Sequence, residues 1–195
     1  MKGLKNMKFA FILYNDLTLL DFAGAYDSIT RLKSMGYIND LEYDLCSLEH
    51  TVKSFEGAEI VPNKINNDLS VYDYIFIPGG NGIVKLLSNN EFLAWIKNIS
   101  ENAIITAVCG GSLLLGAAGF LTGKRATTHP ALMKFLNKYT EHVSSSRIVE
   151  DGNIITARGV TSSIDLGLYL CEKIAGAEIR EKIQKQMDYT AYTCE

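Results

Sequence analysis

The chain is 195 residues long and 47% apolar, with 19 basic and 22 acidic side chains and a net charge of −3. That length can bury a full core in a single domain over residues 1–195. No basic stripe marks a nucleic-acid surface and no apolar run is long enough to span a membrane, so a small-molecule substrate is the expected partner.

The opening Met1-Lys2-Gly3-Leu4-Lys5-Asn6-Met7-Lys8 is basic and precedes the apolar run Phe9-Ala10-Phe11-Ile12-Leu13-Tyr14. The pattern faintly resembles a signal peptide, but the run is short and meets Asn15-Asp16 with no small-residue cleavage site. It reads as a frayed leader and a first strand over 8–14. Residues 18–35 carry Leu19, Phe22, Ala23, Tyr26, Ile29 and Leu32 at three-and-four spacing, which predicts an amphipathic helix. A second strand covers 42–48. Short runs around Val52 and Ile60, with Gly57 between them, predict a small β-hairpin extension. A strand at 74–77 ends in Pro78-Gly79-Gly80, and 90–100 is helical.

Residues 104–108 form a short β-branched run of the kind that fills a strand buried on both faces. Pro130 opens a helix through 139, where proline is tolerated at the first position. Runs at 146–150 and 153–157 flank Asp151-Gly152, a two-residue hairpin signal. A helix over 161–175 has Ser162 and Asp165 spaced as a capping box, and a last helix covers 178–189. Alternating strands and helices predict an α/β fold with a mostly parallel sheet.

The cysteines are Cys46, Cys109, Cys171 and Cys194. No pair has CxxC spacing and none lies at metal-ligand distance from a histidine, so neither a disulfide framework nor a metal site is expected. The cytoplasm is the default compartment. Cys109 differs from the others in position. It stands where the 104–108 strand stops and is followed by Gly110, Gly111 and Ser112, then by the apolar Leu113-Leu114-Leu115. A cysteine between strand and helix, followed by near-absent side chains, predicts a sharp nucleophile elbow. A packing cysteine has no need of the two glycines, whereas a strained turn does. The helix start beyond it is expected to favour thiolate over thiol.

Ligands of open α/β sheets bind at the carboxyl ends of strands. Three groups fall there: Asp21, the loop Pro78-Gly79-Gly80-Asn81-Gly82, and Cys109. The loop lacks the G-x-G-x-x-G and P-loop patterns of a nucleotide site, and Gly123-Lys124-Arg125 lacks the upstream glycine and the Ser/Thr. A glycine loop can instead bring a backbone N–H to a reacting group. Asp21 sits among Leu19, Leu20 and Phe22. It either complements the helix dipole or points into the crevice, where burial and a nearby thiolate would raise its pKa and suit it to acid–base work. His129, just before Pro130, is a structural histidine or an accessory to the site, as is Asn81. His50 and His142 lie in polar segments and carry no role.

Together, Phe11-Ile12-Leu13-Tyr14 with Leu20-Asp21-Phe22-Ala23-Gly24, Ile77-Pro78-Gly79-Gly80, Val108-Cys109-Gly110-Gly111-Ser112 and the run from Gly116 to His129 resemble the ThiJ/PfpI superfamily, which is class I glutamine amidotransferase-like. Among its branches the likeness is greatest to the isonitrile hydratases. It continues through Asp151-Gly152-Asn153, Gly159 to Asp165 and Gln186 to Tyr189. The resemblance implies a flavodoxin-like sandwich, a homodimer, and no metal or cofactor. It makes Cys109 the nucleophile, Asp21 its acidic partner, and the N–H groups of Gly80 and Gly110 an anion-binding pocket. Gly110 stands where the hydratase branch carries threonine and the protease-like branch histidine, and Asp21-Phe22-Ala23-Gly24-Ala25 replaces an Asp-Leu-Thr-Gly-Pro run. The reading that follows is a lyase hydrating a small isonitrile to an N-substituted formamide through a thioimidate on Cys109. The alternatives are a glyoxalase or deglycase acting on reactive carbonyls with His129 assisting, and a non-catalytic thiol sensor oxidised at Cys109.

Overall fold

A computed structural model describes residues 6–190. The start of the basic leader and Cys194 lie outside the described residues. Strand β1 (Lys8–Ile12) buries every residue after Lys8 and leads into α1 (Leu19–Ser34), β2 (Glu42–Ser47), the short strands β3 (Val52–Lys53) and β4 (Glu59–Ile60), and β5 (Lys64–Ile65). Next come β6 (Tyr74–Ile77), α2 (Ile83–Leu86), α3 (Asn90–Lys97), β7 (Ile104–Val108) and α4 (Gly111–Ala117). The rest comprises β8 (Arg125–Ala126), a 3-10 turn (Pro130–Leu132), α5 (Met133–Leu136), β9 (His142–Val143), the hairpin of β10 (Ile148–Asp151) and β11 (Ile154–Ala157), α6 (Ser162–Ala175) and α7 (Ala177–Gln186).

The central sheet runs in the order β10-β11-β7-β6-β1-β2-β5. All neighbours are parallel except β10 and β11. The step from β1 to β2 goes one way across the sheet and that from β6 to β7 the other. Right-handed crossovers then put α1 on one face and α2 with α3 on the opposite one. The strand order reverses at the β1–β6 seam, so the carboxyl ends of β1, β6 and β7 open onto one crevice. Phe9, Phe11, Phe76, Ile75 and Ile105 fill the sheet interior with no exposed surface. Phe11 meets the rings of Phe22 and Tyr26 edge-on, which seats the first turns of α1 against β1. Helices α1 and α6 approach closely because Gly167 meets Ser28: a Cβ there would lie 2.7 Å from the serine Cβ.

Several details differ from the sequence reading. The hairpin loop is Gly152-Asn153, one residue later than expected, since Asp151 pairs with Ile154 and Gly152 takes φ 64°. The expected capping box at Ser162 and Asp165 is absent. Asp165 is drawn instead to Arg147 and to the Tyr189 hydroxyl at 2.8 Å, leaving the buried Ser162 Oγ without a partner among the described residues. The helix expected over 130–139 is a 3-10 turn followed by a single α-turn. Strands β5, β8 and β9, each of two residues, and the four-residue α2 carry too few residues to show a period.

Candidate functional site

The elbow is built as its sequence suggests, but its strain sits on the cysteine. Cys109 takes φ 55°, in the left-handed region that side chains avoid, at a cost of roughly 1–3 kcal/mol. Four hydrogen bonds hold it there. Its N–H donates to the carbonyls of Ala157 (3.1 Å) and Arg158 (2.7 Å). Its carbonyl accepts from Ser112 Oγ (2.9 Å) and Thr128 Oγ1 (2.7 Å). Gly110 has ordinary helical angles, φ −66° and ψ −13°. The two glycines therefore serve close approach rather than strain. A Cβ on Gly111 would stand 2.5 Å from the Ile77 carbonyl oxygen, and one on Gly110 would stand 2.5 Å from Ile83 Cδ1.

Asp21 lies in the first turn of α1 with no exposed surface. Of its two alternatives, the structure selects the crevice. Its Oδ2 accepts the N–H of Gly79 at 3.0 Å. A Cβ on Gly79 would fall 2.6 Å from the Gly110 nitrogen, 2.7 Å from Asp21 Oδ2 and 2.7 Å from Cys109 Cβ. A residue with no side chain at Gly79 thus lets carboxyl, cysteine and elbow amide converge. Asp21 Oδ1 is buried without a well-formed hydrogen bond among the described residues, while the Cys109 thiol is near enough to interact with the carboxyl. Misaligned bonds of this kind are common in resting sites.

Electrostatics follow from burial. Desolvation pushes the Asp21 carboxyl up to about 7, opposed by the Gly79 N–H and the Cys109 thiol and assisted by the nearby Glu56 carboxylate. The Cys109 thiol is pushed up to about 12, first by desolvation and then by the Asp21 charge, with the Gly110 N–H pulling the other way. The expected low-pKa thiolate is therefore corrected. α4 has only seven residues, and its weak dipole loses to burial beside a carboxylate. The Asp21 charge disfavours the thiolate, so carboxyl and thiol titrate as a pair.

The remaining expected residues are distributed as follows. Gly80, at φ 135°, bridges to Leu17, and its amide donates to no acceptor among the described residues. Asn81 is exposed, and its side chain makes no hydrogen bond within the described residues. His129 uses Nδ1 to accept the Ala131 N–H at 3.2 Å, and its ring packs on Gly159, where a Cβ would fall 2.2 Å from Cδ2. It caps the 3-10 turn, and no hydrogen bond joins it to Cys109. Cys46 and Cys171 are free and fully buried, whereas Cys109 keeps 9% exposure. Among the described residues no cluster of three or more His, Cys, Asp or Glu side chains could hold a metal ion, and no helix is long and apolar enough to cross a membrane.

The pattern of the DJ-1/PfpI family matches residues 7–173. The chain belongs to the DJ-1/PfpI family. Isonitrile hydratase of Pseudomonas putida is 34% identical over 184 residues, covering 94% of this chain and 78% of that protein. Protein DJ-1alpha of Drosophila melanogaster is 31% identical over 144 residues, covering 71% and 66%. A ThiJ/PfpI family protein from Pseudomonas syringae superposes with a TM-score of 0.86 at 28% identity, over 98% of this chain and 78% of the other. Oxidized DJ-1 of Toxoplasma gondii shares the fold, with a TM-score of 0.80 at 23% identity over 95% and 100%.

Three participants in this DJ-1/PfpI site escaped the sequence reading. Gly79 lies in the glycine loop already singled out, but its N–H as the donor to Asp21 was not foreseen. Glu56, from the β3–β4 hairpin, accepts the Leu19 N–H at 3.0 Å and lends its charge to the Asp21 environment. Tyr14 donates to the Pro78 carbonyl at 2.6 Å, and its phenol is raised well above the usual value by burial and then by Asp21 and Cys109. Gly79 belongs to a motif visible in sequence. Glu56 carries no sequence signal and Tyr14 only its place in the Phe11–Tyr14 run of the resemblance, because the fold alone brings the two to the crevice.

Proposed function

We propose that the protein is a cysteine-dependent hydratase that converts a small isonitrile and water to an N-substituted formamide. Cys109 is the nucleophile, Asp21 the proton carrier, and the amides of Gly80 and Gly110 the donors that face developing negative charge. The observation that carries this reading is Asp21, fully buried beside Cys109 and held by the Gly79 N–H, where burial pushes its carboxyl up to about 7. A general acid–base group works best with its pKa near the working pH.

In the proposed sequence, Asp21 carboxylate takes the thiol proton as sulfur bonds to the terminal isonitrile carbon. It returns that proton to the same carbon, giving the thioimidate Cys–S–CH=N–R. Water then adds to this carbon. Asp21 accepts one water proton and passes it to nitrogen. Collapse of the adduct breaks the C–S bond, returns the remaining hydroxyl proton to sulfur, and releases R–NH–CHO. Substrate and water are consumed one for one, with no oxidant and no cofactor.

Support for an apolar R group comes from the cleft beside the elbow. Ile83 and Leu132, the two side chains over Gly110, also line a cleft of about 310 Å³ with Val84, Leu87, Phe135 and Tyr139. Similarity to the Pseudomonas putida isonitrile hydratase across 94% of the chain supports the hydratase reading itself. The same reading takes the protein as a two-fold homodimer, which light scattering at micromolar concentration reads directly.

The test is turnover of an alkyl isonitrile, followed by mass spectrometry of the formamide. Wild type is expected to produce it, and Cys109→Ser and Asp21→Asn to lose most of the rate. Consumption of methylglyoxal with no formamide above the Cys109→Ser background would replace this reading with carbonyl repair.

A further inference from the structure

We infer that Tyr14 is a positioning residue for Asp21, acting through the single peptide unit that joins Pro78 to Gly79. The carbonyl of that unit accepts the Tyr14 hydroxyl at 2.6 Å, and its N–H donates to Asp21 Oδ2 at 3.0 Å. One rigid plane carries both groups, because the peptide bond does not rotate. Tyr14 therefore fixes the direction of the amide that Asp21 sees. It also polarises that amide, since a donor on the carbonyl oxygen makes the N–H a stronger donor in turn.

All members of this relay are buried: Tyr14 is 3% exposed and Asp21 0%. In such surroundings, each hydrogen bond to the ionised carboxylate counts for more than in water. The Gly79 N–H favours the charged form of Asp21 and partly offsets the desolvation that opposes it. Tyr14 thus assists ionisation of Asp21 without touching it. Other titratable groups acting on Asp21 are Cys109 from the elbow and Glu56 from the β3–β4 hairpin. From α6, Ser163 Oγ reaches this end of α1, donating to the Leu20 carbonyl at 2.9 Å, and it carries no charge.

Tyr14 also packs its ring edge-on against Phe92, with centroids 5.9 Å apart. Tyr14→Phe keeps that contact and removes only the hydroxyl, so a purely packing role predicts no change at Asp21. The inference rests on the proposed hydratase reading only for its catalytic consequence, because the titration of Asp21 can be followed without turnover.

The experiment is a pH titration of the Asp21 carboxyl by ¹³C NMR of aspartate-labelled protein, with Asp21→Asn assigning the resonance. The midpoint in Tyr14→Phe is expected to rise by about half a pH unit, the size expected from weakening one charge-assisted bond by a modest fraction. Site-specific 3-fluorotyrosine at position 14, a stronger donor, is expected to lower it. A midpoint that does not rise in Tyr14→Phe overturns the inference. Should that variant not fold, a midpoint that does not fall with fluorotyrosine overturns it equally. A shifted midpoint in protein that makes no formamide would leave the relay standing and remove the hydratase reading.

Discussion

Gly110 and Ile83 fit as a complementary pair: a Cβ on the glycine would stand 2.5 Å from the isoleucine Cδ1, and Leu132 Cδ1 would lie next at 3.4 Å. The apolar side chain occupies the space that a side chain at 110 would need, directly beside Cys109. Gly110→Thr, which installs the residue expected in the hydratase branch, must therefore turn the Cδ1 end of Ile83 aside, a flexible tip that yields at about 1 kcal/mol. The single variant is expected to lose stability and activity. Combined with Ile83→Ala it is expected to exceed wild type by roughly tenfold in kcat/KM, the worth of one added hydroxyl contact. Steady-state kinetics and thermal melts of both variants check this.

Because burial and the Asp21 charge hold the Cys109 thiol high, alkylation of Cys109 should keep accelerating well above pH 8. Asp21→Asn removes the charge and lowers the thiol pKa, so iodoacetamide should react several-fold faster at pH 8 even as turnover is lost. Cys46 and Cys171, both fully buried, should stay unlabelled in the native state. Peptide mapping of the labelled protein reads all three outcomes.

The elevated carboxyl of Asp21 also makes stability depend on pH. Its pKa rises from 3.8 to about 7 on folding. Between these values the native state holds a proton that the unfolded chain has released, so stability falls as pH rises through that window. At about 1.4 kcal/mol per pH unit, the ionised carboxylate costs the fold about 4 kcal/mol above pH 7. Asp21→Asn removes that term but needs a partner for its amide at a cost of about 2 kcal/mol, so a net gain of about 2 kcal/mol at pH 8 and a net loss of about 2 kcal/mol at pH 4 are expected. Urea denaturation at the two pH values measures it.

The elbow itself is held by neighbours that do no chemistry. Thr128→Val removes one of the two hydroxyls on the Cys109 carbonyl, leaving Ser112 in place. The expected loss of stability is about 1 kcal/mol. Turnover should fall further than that loss implies, since Cys109 can then relax from its strained φ. Comparing kcat with the denaturation midpoint separates the two effects.

How much was legible in sequence follows from range. The elbow, Asp21 and the parallel sheet were readable because each is written locally, in a β-branched run that stops at Cys109 or a carboxylate set among leucines. Tyr14 and Glu56 were not, since their partners are Pro78 and Leu19, distant in sequence and joined only by the strand order. Sequence placed the thiol at a helix start and expected a thiolate. It could not weigh that short helix against burial beside Asp21. His129, read in sequence as structural or accessory, uses its Nδ1 to cap the turn at Ala131.

The central claim is covalent addition of the isonitrile to Cys109, and intact-protein mass spectrometry tests it most directly. Wild type, mixed with an alkyl isonitrile and quenched within milliseconds, should gain one whole substrate mass, because insertion into the S–H bond expels nothing. Asp21→Asn, which lacks the proton carrier for that step, should gain it far more slowly. Fragmentation should place that mass on Cys109, and wild type should show it only transiently before formamide appears. Undiminished formamide from Cys109→Ser, or an adduct confined to another residue, would contradict the account.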